Sequence, residues 1–283
     1  MSKLCRSLYR SAYLLILLIA ASIDGRIRRP KVGAEGAIWI HNWCHRIVNA
    51  LRIECTIKGS LPTSGAVVSN HLSYLDILLY SATTPFVMVA KKELRSWPLL
   101  GWLTAQAGTV YVQRSEDRRP GELRQEHSEV NGMMAEAYAS GLPVLFFPEG
   151  TTTDGEQVLP FRRGLFHSVL NGGIPLRTAA LQFQVGERDR TAIVGRDVCF
   201  VGDALFGPHI FQCLGLHELK AQIKFGGEVL QREDRFVLSQ SAHAAVSELH
   251  GSLADRPKYA SEIERRYEKS HWPEGLANAP ERP

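Results

Sequence analysis

Between Arg52 and His250, short runs rich in β-branched and aromatic residues alternate with longer stretches of helical spacing, and no other feature limits the fold as tightly. The runs are Ile53 to Ile57, Ala66 to Ser69, Phe86 to Ala90, Thr109 to Gln113, Val144 to Phe147, Leu176 to Phe183 and Gln222 to Phe225. Helices are predicted between them at Tyr74 to Ser81, Leu99 to Ala107, Gly121 to Ser140, Gly164 to Leu170 and Ser239 to His250. Such alternation predicts an α/β domain, with a mostly parallel central sheet flanked by helices. Ligands of these sheets sit beyond the carboxyl ends of the strands, so the residues just after each run are the ones to read for function.

At 283 residues the chain divides into an N-terminal helical segment (1–51), the α/β domain (52–250) and a peripheral C-terminal tail (251–283) with Pro257, Pro273, Pro280 and Pro283. Its 33 Lys and Arg against 29 Asp and Glu leave +4, unevenly spread. Residues 1–31 carry seven basic side chains against Asp24 alone, or +6, so the rest of the chain stands at −2. Within that basic segment, Ala12 to Ile23 form an apolar stretch of 12 residues. As a helix this covers about 18 Å, short of a bilayer core of roughly 30 Å. Three readings fit: a helix dipped into one leaflet with its cations on anionic head groups, a signal peptide with Ala20-Ala21-Ser22 near the cleavage site, or a plain buried helix. Ile38 to Leu51 has approximate helical spacing with Trp39 and Trp43, which fits either a second interfacial helix or one packed on the domain.

The five cysteines, Cys5, Cys44, Cys55, Cys199 and Cys213, are odd in number and hold no CxxC pair, so neither a disulfide framework nor a metal site is expected. Reduced thiols facing the cytosol fit this pattern.

After the second run comes Asn70-His71-Leu72-Ser73-Tyr74-Leu75-Asp76. Ser73 and Asp76 have the spacing of a capping box, which places Asp76 in the first helical turn. With His71 in the preceding loop the two side chains can meet, whereas on a regular helix five positions would separate them by about 140°. A carboxylate on one imidazole nitrogen fixes the tautomer and leaves the other nitrogen as a general base. On spacing alone the plainer reading, with Asp76 only a cap and His71 a loop residue, is favoured.

After the fifth run stands Phe147-Pro148-Glu149-Gly150-Thr151-Thr152-Thr153-Asp154-Gly155, then Leu159-Pro160-Phe161-Arg162-Arg163. Phe147 to Thr151, together with Asn70 to Asp76, Gly108 to Arg114 and Ile174-Pro175-Leu176, match in order and spacing the motifs of a known family. The chain resembles the 1-acyl-sn-glycerol-3-phosphate (lysophosphatidic acid) acyltransferase family of glycerolipid acyltransferases over roughly residues 35 to 230. An isolated His-x4-Asp is weak, but four blocks in order are specific.

The resemblance implies transfer of a fatty acyl group from acyl-CoA or acyl-carrier protein to the hydroxyl of a lysophospholipid, with His71 as general base and Asp76 orienting it. It implies acceptor and phosphate binding by Lys91, Arg114, Glu149, Gly150 and Thr151, with the Gly150-Thr151 turn a candidate source of oxyanion donors. It implies no metal and no cofactor beyond the donor, no nucleic-acid partner, and a monotopic or peripheral place on the cytoplasmic face of a membrane. For Lys92, Arg162 and Arg163, substrate contact and simple solvation are comparable readings. One position departs from the family: most members follow Glu-Gly-Thr with Arg, and here it is Thr152. A similar Thr- or Ser-rich block occurs in relatives that acylate other lysolipids, including lyso-ornithine lipid. The acceptor is therefore expected to be 1-acylglycerol-3-phosphate, giving phosphatidic acid, with lyso-ornithine lipid or another lysolipid as the alternative. A non-catalytic lipid-binding protein of the same fold is a third reading, against which the intact His71 and Asp76 stand.

Overall fold

The computed structural model describes residues 2–113, 127–232 and 234–253. In chain order these form α1 (Lys3–Arg28), α2 (Ala34–Leu51), β1 (Ile53–Lys58), β2 (Ala66–Val68), α3 (Tyr74–Thr83), β3 (Val87–Lys91), α4 (Leu100–Gln106) and β4 (Val110–Val112). There follow α5 (His127–Ala139), β5 (Val144–Phe146), α6 (Phe166–Asn171), β6 (Leu176–Val185), α7 (Val194–Asp197), α8 (Phe206–Leu214), β7 (Leu219–Leu230) and α9 (Arg235–Leu253). All seven expected strands are present, as are the five expected helices, except that positions 121–126 of α5 lie outside the described residues. The C-terminal boundary shifts, since Gly251 and Ser252 still belong to α9.

The strands make one sheet in the order β1-β7-β6-β2-β5-β3-β4, parallel throughout except for the antiparallel β6–β7 pair. Strands β2 and β5 are apolar and buried at every position because both faces are covered there. Val67 and Leu145 point into a core shared with α2 and α3, while Ala66, Val68, Val144 and Phe146 point into a second core with α5, α6 and α9. Each of these Val, Leu and Phe side chains contributes about 1.5–3 kcal/mol on burial. Since β2, β5, β3 and β4 are consecutive neighbours, the loops at their carboxyl ends form one contiguous edge.

Helices α7 and α8 carry little local signal. The first has four residues, and the second has Gly207 and Pro208 in its first turn, so tertiary packing rather than propensity holds them.

The N-terminal helix differs from its sequence expectation. It runs unbroken for 26 residues, long and apolar enough to cross a membrane, but it is held along the domain at both ends. Arg6 Nε donates to the Gly215 carbonyl at 2.8 Å, and Arg10 Nη1 to that of Leu216 at 2.7 Å. These guanidinium groups meet carbonyls at and just beyond the end of α8, where helix acceptors lack internal partners. At the other end Asp24 accepts from the indole N–H of Trp39 at 2.9 Å and of Trp43 at 3.0 Å, and from Arg28 at 2.6 Å. Both indoles are buried, so α2 is the packed helix of the two readings, and its tryptophans serve the α1 contact instead of a head-group belt. Gly36 lets α2 approach α4, because a Cβ there would lie 2.0 Å from the Gln106 carbonyl oxygen.

Candidate active site

The loop after β2 is fastened from three directions. Asn70 reaches β6, donating from Nδ2 to the Leu181 carbonyl and accepting the Leu181 N–H at Oδ1, both at 2.9 Å, so a side chain continues the backbone pairing past the end of β2. The loop after β5 takes both backbone groups of His71: its N–H donates to Glu149 Oε1 at 2.7 Å, and its carbonyl accepts from the Thr153 N–H at 2.9 Å. The imidazole stacks on Phe147, with centroids 4.1 Å apart and planes 9° from parallel.

Asp76 stands in the first turn of α3, fully buried. Its Oδ2 accepts from the amides of Leu72 at 2.6 Å and Ser73 at 3.0 Å, and contacts His71 Nδ1 at 2.7 Å. A carboxylate acceptor assigns the proton to Nδ1, which leaves Nε2 with its lone pair. The capping carboxylate thus also orients the histidine, because one oxygen serves the loop, the cap and the ring together.

His71 lines a cavity of about 760 Å³ at the carboxyl edge of the sheet. Lys91 at the end of β3, Gly150 and Thr151 after β5, and Gln113 after β4 line it as well. Arg114, the next residue, lies outside the described residues. Much of the remaining wall is apolar, including Tyr74, Ile77, Val89, Trp97 and Leu165. Glu149 is placed differently from its lining neighbours Pro148 and Gly150: it is 3% exposed and stands behind the wall. Its Oε2 accepts from the Leu159 N–H at 2.9 Å, and burial pushes its carboxyl up to about 7 against the pull of its two amide donors.

Residues 52–182 match the family model described as Acyltransferase. The chain is 32% identical over 253 residues to the lyso-ornithine lipid O-acyltransferase of Pseudomonas aeruginosa, covering 85% of this chain and 92% of that protein. The chain belongs to the acyltransferase family. It is also 29% identical to the 1-acyl-sn-glycerol-3-phosphate acyltransferase of Neisseria gonorrhoeae, over 69% of this chain and 72% of that one. The crystal structure of the 1-acyl-sn-glycerophosphate acyltransferase PlsC from Thermotoga maritima has the same fold, with a TM-score of 0.55 at 17% identity over 90% of this chain and 98% of that one.

Several groups of this acyltransferase's site were not singled out by sequence reasoning. Phe147 is the platform for the imidazole, and Asn70 and Thr153 fix the loop that carries it. Arg162, for which the sequence left substrate contact and solvation as comparable readings, lines the cavity and lies over Gly150, where φ is +76° and a Cβ would come within 2.4 Å of Arg162 Nε. The positive φ favours glycine there, and any Cβ would displace the guanidinium from its place over the turn. Thr152, the departure from the family pattern, turns its hydroxyl to the Phe200 carbonyl, so it ties the loop down. The Gly150 N–H, half of the expected oxyanion turn, is used within the turn on the Phe147 carbonyl at 3.2 Å. Burial raises the thiols of Cys44 and Cys213 to about 12 and that of Cys55 to about 11, and pushes that of Cys199 up as well, so none of these four is a ready thiolate.

Proposed function

We propose that the protein transfers a fatty acyl group from an acyl-CoA or acyl-carrier-protein thioester to the free hydroxyl of a lysolipid, with His71 as general base. The observation that carries this reading is the 2.7 Å contact of Nδ1 with buried Asp76, on a histidine that lines the cavity. Nε2 takes the hydroxyl proton as the oxygen attacks the thioester carbonyl, and Asp76 stabilises the imidazolium that forms. Collapse of the tetrahedral intermediate breaks the carbon–sulfur bond, and the departing thiolate recovers the proton from Nε2. Since the Gly150 amide is engaged within its turn, the Thr151 N–H is the backbone donor we assign to the developing oxyanion.

The acceptor is read as 1-acylglycerol-3-phosphate. Lys91 and Arg162 support this, since both line the cavity that His71 lines and together suit a phosphate monoester, with Arg114 the third cation expected there. A second reading, lyso-ornithine lipid, is favoured by Thr152 in place of the usual Arg and by Glu93, a lining carboxylate that would partner a cationic amine. Supplying purified protein in vesicles with labelled acyl donor and both lysolipids separates the two. Turnover of neither, with any donor, would leave only a lipid-binding role. In either case Arg162→Ala is expected to raise the acceptor KM about tenfold or more, the scale of one charge-assisted hydrogen bond. An unchanged KM would remove Arg162 from the acceptor site.

The reading also places the protein on a membrane surface. Helix α1 is apolar on both faces: Leu14, Leu17, Leu18 and Ala21 pack on the domain, while Leu8, Leu15, Ile16, Ile19, Ile23 and Ile27 face outward. Anchored at both ends along the domain, it would lie in one leaflet and present that apolar stripe to lipid, on the cytoplasmic face. Ile19→Asp combined with Ile23→Asp changes only exposed positions, so the fold should survive. Partition onto vesicles is expected to weaken at least about tenfold, given about 1.5–3 kcal/mol for each apolar side chain removed from water. Undiminished partition of the folded double variant would show that α1 does not meet the bilayer.

A further inference from the structure

We propose that Glu149 is a positioning residue for His71 and makes no contact with the acceptor. The inference rests on the reading of His71 as the base and departs from the acceptor-binding role that the family resemblance gives this glutamate.

Three observations carry it. Both carboxylate oxygens are occupied, Oε1 by the His71 N–H at 2.7 Å and Oε2 by the Leu159 N–H at 2.9 Å. The residues on either side, Pro148 and Gly150, line the cavity, and Glu149 does not. The same β5 loop holds the other backbone group of His71, because the Thr153 N–H donates to the His71 carbonyl at 2.9 Å. The peptide groups flanking the histidine's Cα are therefore clamped from a single loop. To touch an acceptor, Glu149 would have to abandon two amide hydrogen bonds and turn through the wall.

The chemistry of the clamp suits a glutamate. A buried carboxylate is tolerated when each oxygen has a donor, and here the donors come from two segments 88 residues apart, His71 and Leu159. Glutamine offers one acceptor oxygen and one NH₂, so one of the two amides would face another donor. Aspartate keeps both oxygens of the carboxyl group but is one methylene shorter and cannot reach both amides. Either change lets the His71 backbone drift, and a displacement of about 1 Å at a catalytic group is enough to cost about a hundredfold in rate.

The test is a kinetic split on the full chain in vesicles, using whichever of the two lysolipids the wild type acylates. Glu149→Gln and Glu149→Asp are both expected to lower kcat by about ten- to a hundredfold. The acceptor KM should stay within about threefold of wild type, because Lys91 and Arg162 are untouched. A raised acceptor KM with kcat retained overturns the proposal. Hydrogen exchange on the wild-type protein gives an independent answer that does not depend on the variants folding. The amides of His71 and Leu159 should stay protected when the lysolipid is added, whereas loss of their protection on binding would mean that Glu149 releases them to meet the acceptor. His71→Ala run alongside separates two failures. Turnover surviving in that variant sinks the base reading, while an inactive His71→Ala together with a KM defect in Glu149→Gln sinks the positioning role alone.

Discussion

Replacing His71 by Ala is expected to lower turnover at least about a hundredfold while leaving the fold intact, the scale lost when a positioned general base is removed. The second half of that expectation follows from the geometry. Asp76 keeps the Leu72 and Ser73 amides as donors, so the start of α3 remains capped, and the imbalance left at its carboxylate is one hydrogen bond out of three. The Asn70 pairing to Leu181 and the amide bond to Glu149 do not involve the imidazole, so the loop stays where it is. The measurement is initial rate with saturating donor and acceptor, beside a thermal melt. Turnover close to wild type in a variant that melts normally would remove His71 from the chemistry, and with it the mechanism.

Asp76→Asn is the more informative partner, because it separates orientation from charge. Asparagine can place its carbonyl oxygen where Oδ2 now accepts three donors, which preserves the tautomer and the cap. What it cannot do is stabilise an imidazolium. A hydrogen bond to a charged group contributes about 1.5–3 kcal/mol, so the expected loss in kcat is about ten- to a hundredfold, with the acceptor KM nearly unchanged. Some stability is lost too, roughly 2–4 °C in Tm per kcal/mol for a domain of this size. Rates equal to wild type would mean that the carboxylate is only a cap, which is the plainer reading its position in the sequence allows.

The strands and most helices were legible because their signals are local. Val67, Val68 and Leu145 belong to short apolar runs bounded by polar or turn residues, and such runs read as strands whatever the rest of the chain does. The cap at Ser73 and Asp76 was legible for the same reason, being set within four residues. The alternative roles of Trp39 and Trp43 were not, since head-group anchoring and burial place indoles on the same helical spacing. Asp24, an isolated acid in a basic leader, decides between them only once α1 lies beside α2. The six net positive charges of residues 1–31 are likewise not all available to lipid, because Arg6 and Arg10 are spent on carbonyls more than 200 residues away.

The sequence alone determined the class of fold, the place of the loops that carry chemistry, and the family whose motif blocks those loops hold. Hydrophobic runs, capping pairs and ordered motifs all act over a few residues, so they can be read without coordinates. Tertiary structure decided which side chains meet. It brought Glu149 to the amide of His71, Phe147 under its ring, Arg162 over Gly150 and Asn70 onto the backbone of Leu181. Three of these four join segments 70 or more residues apart, while the fourth depends on the turn at Gly150. No local spacing encodes such contacts, because they form only when the sheet sets the ends of β2, β5 and β6 side by side.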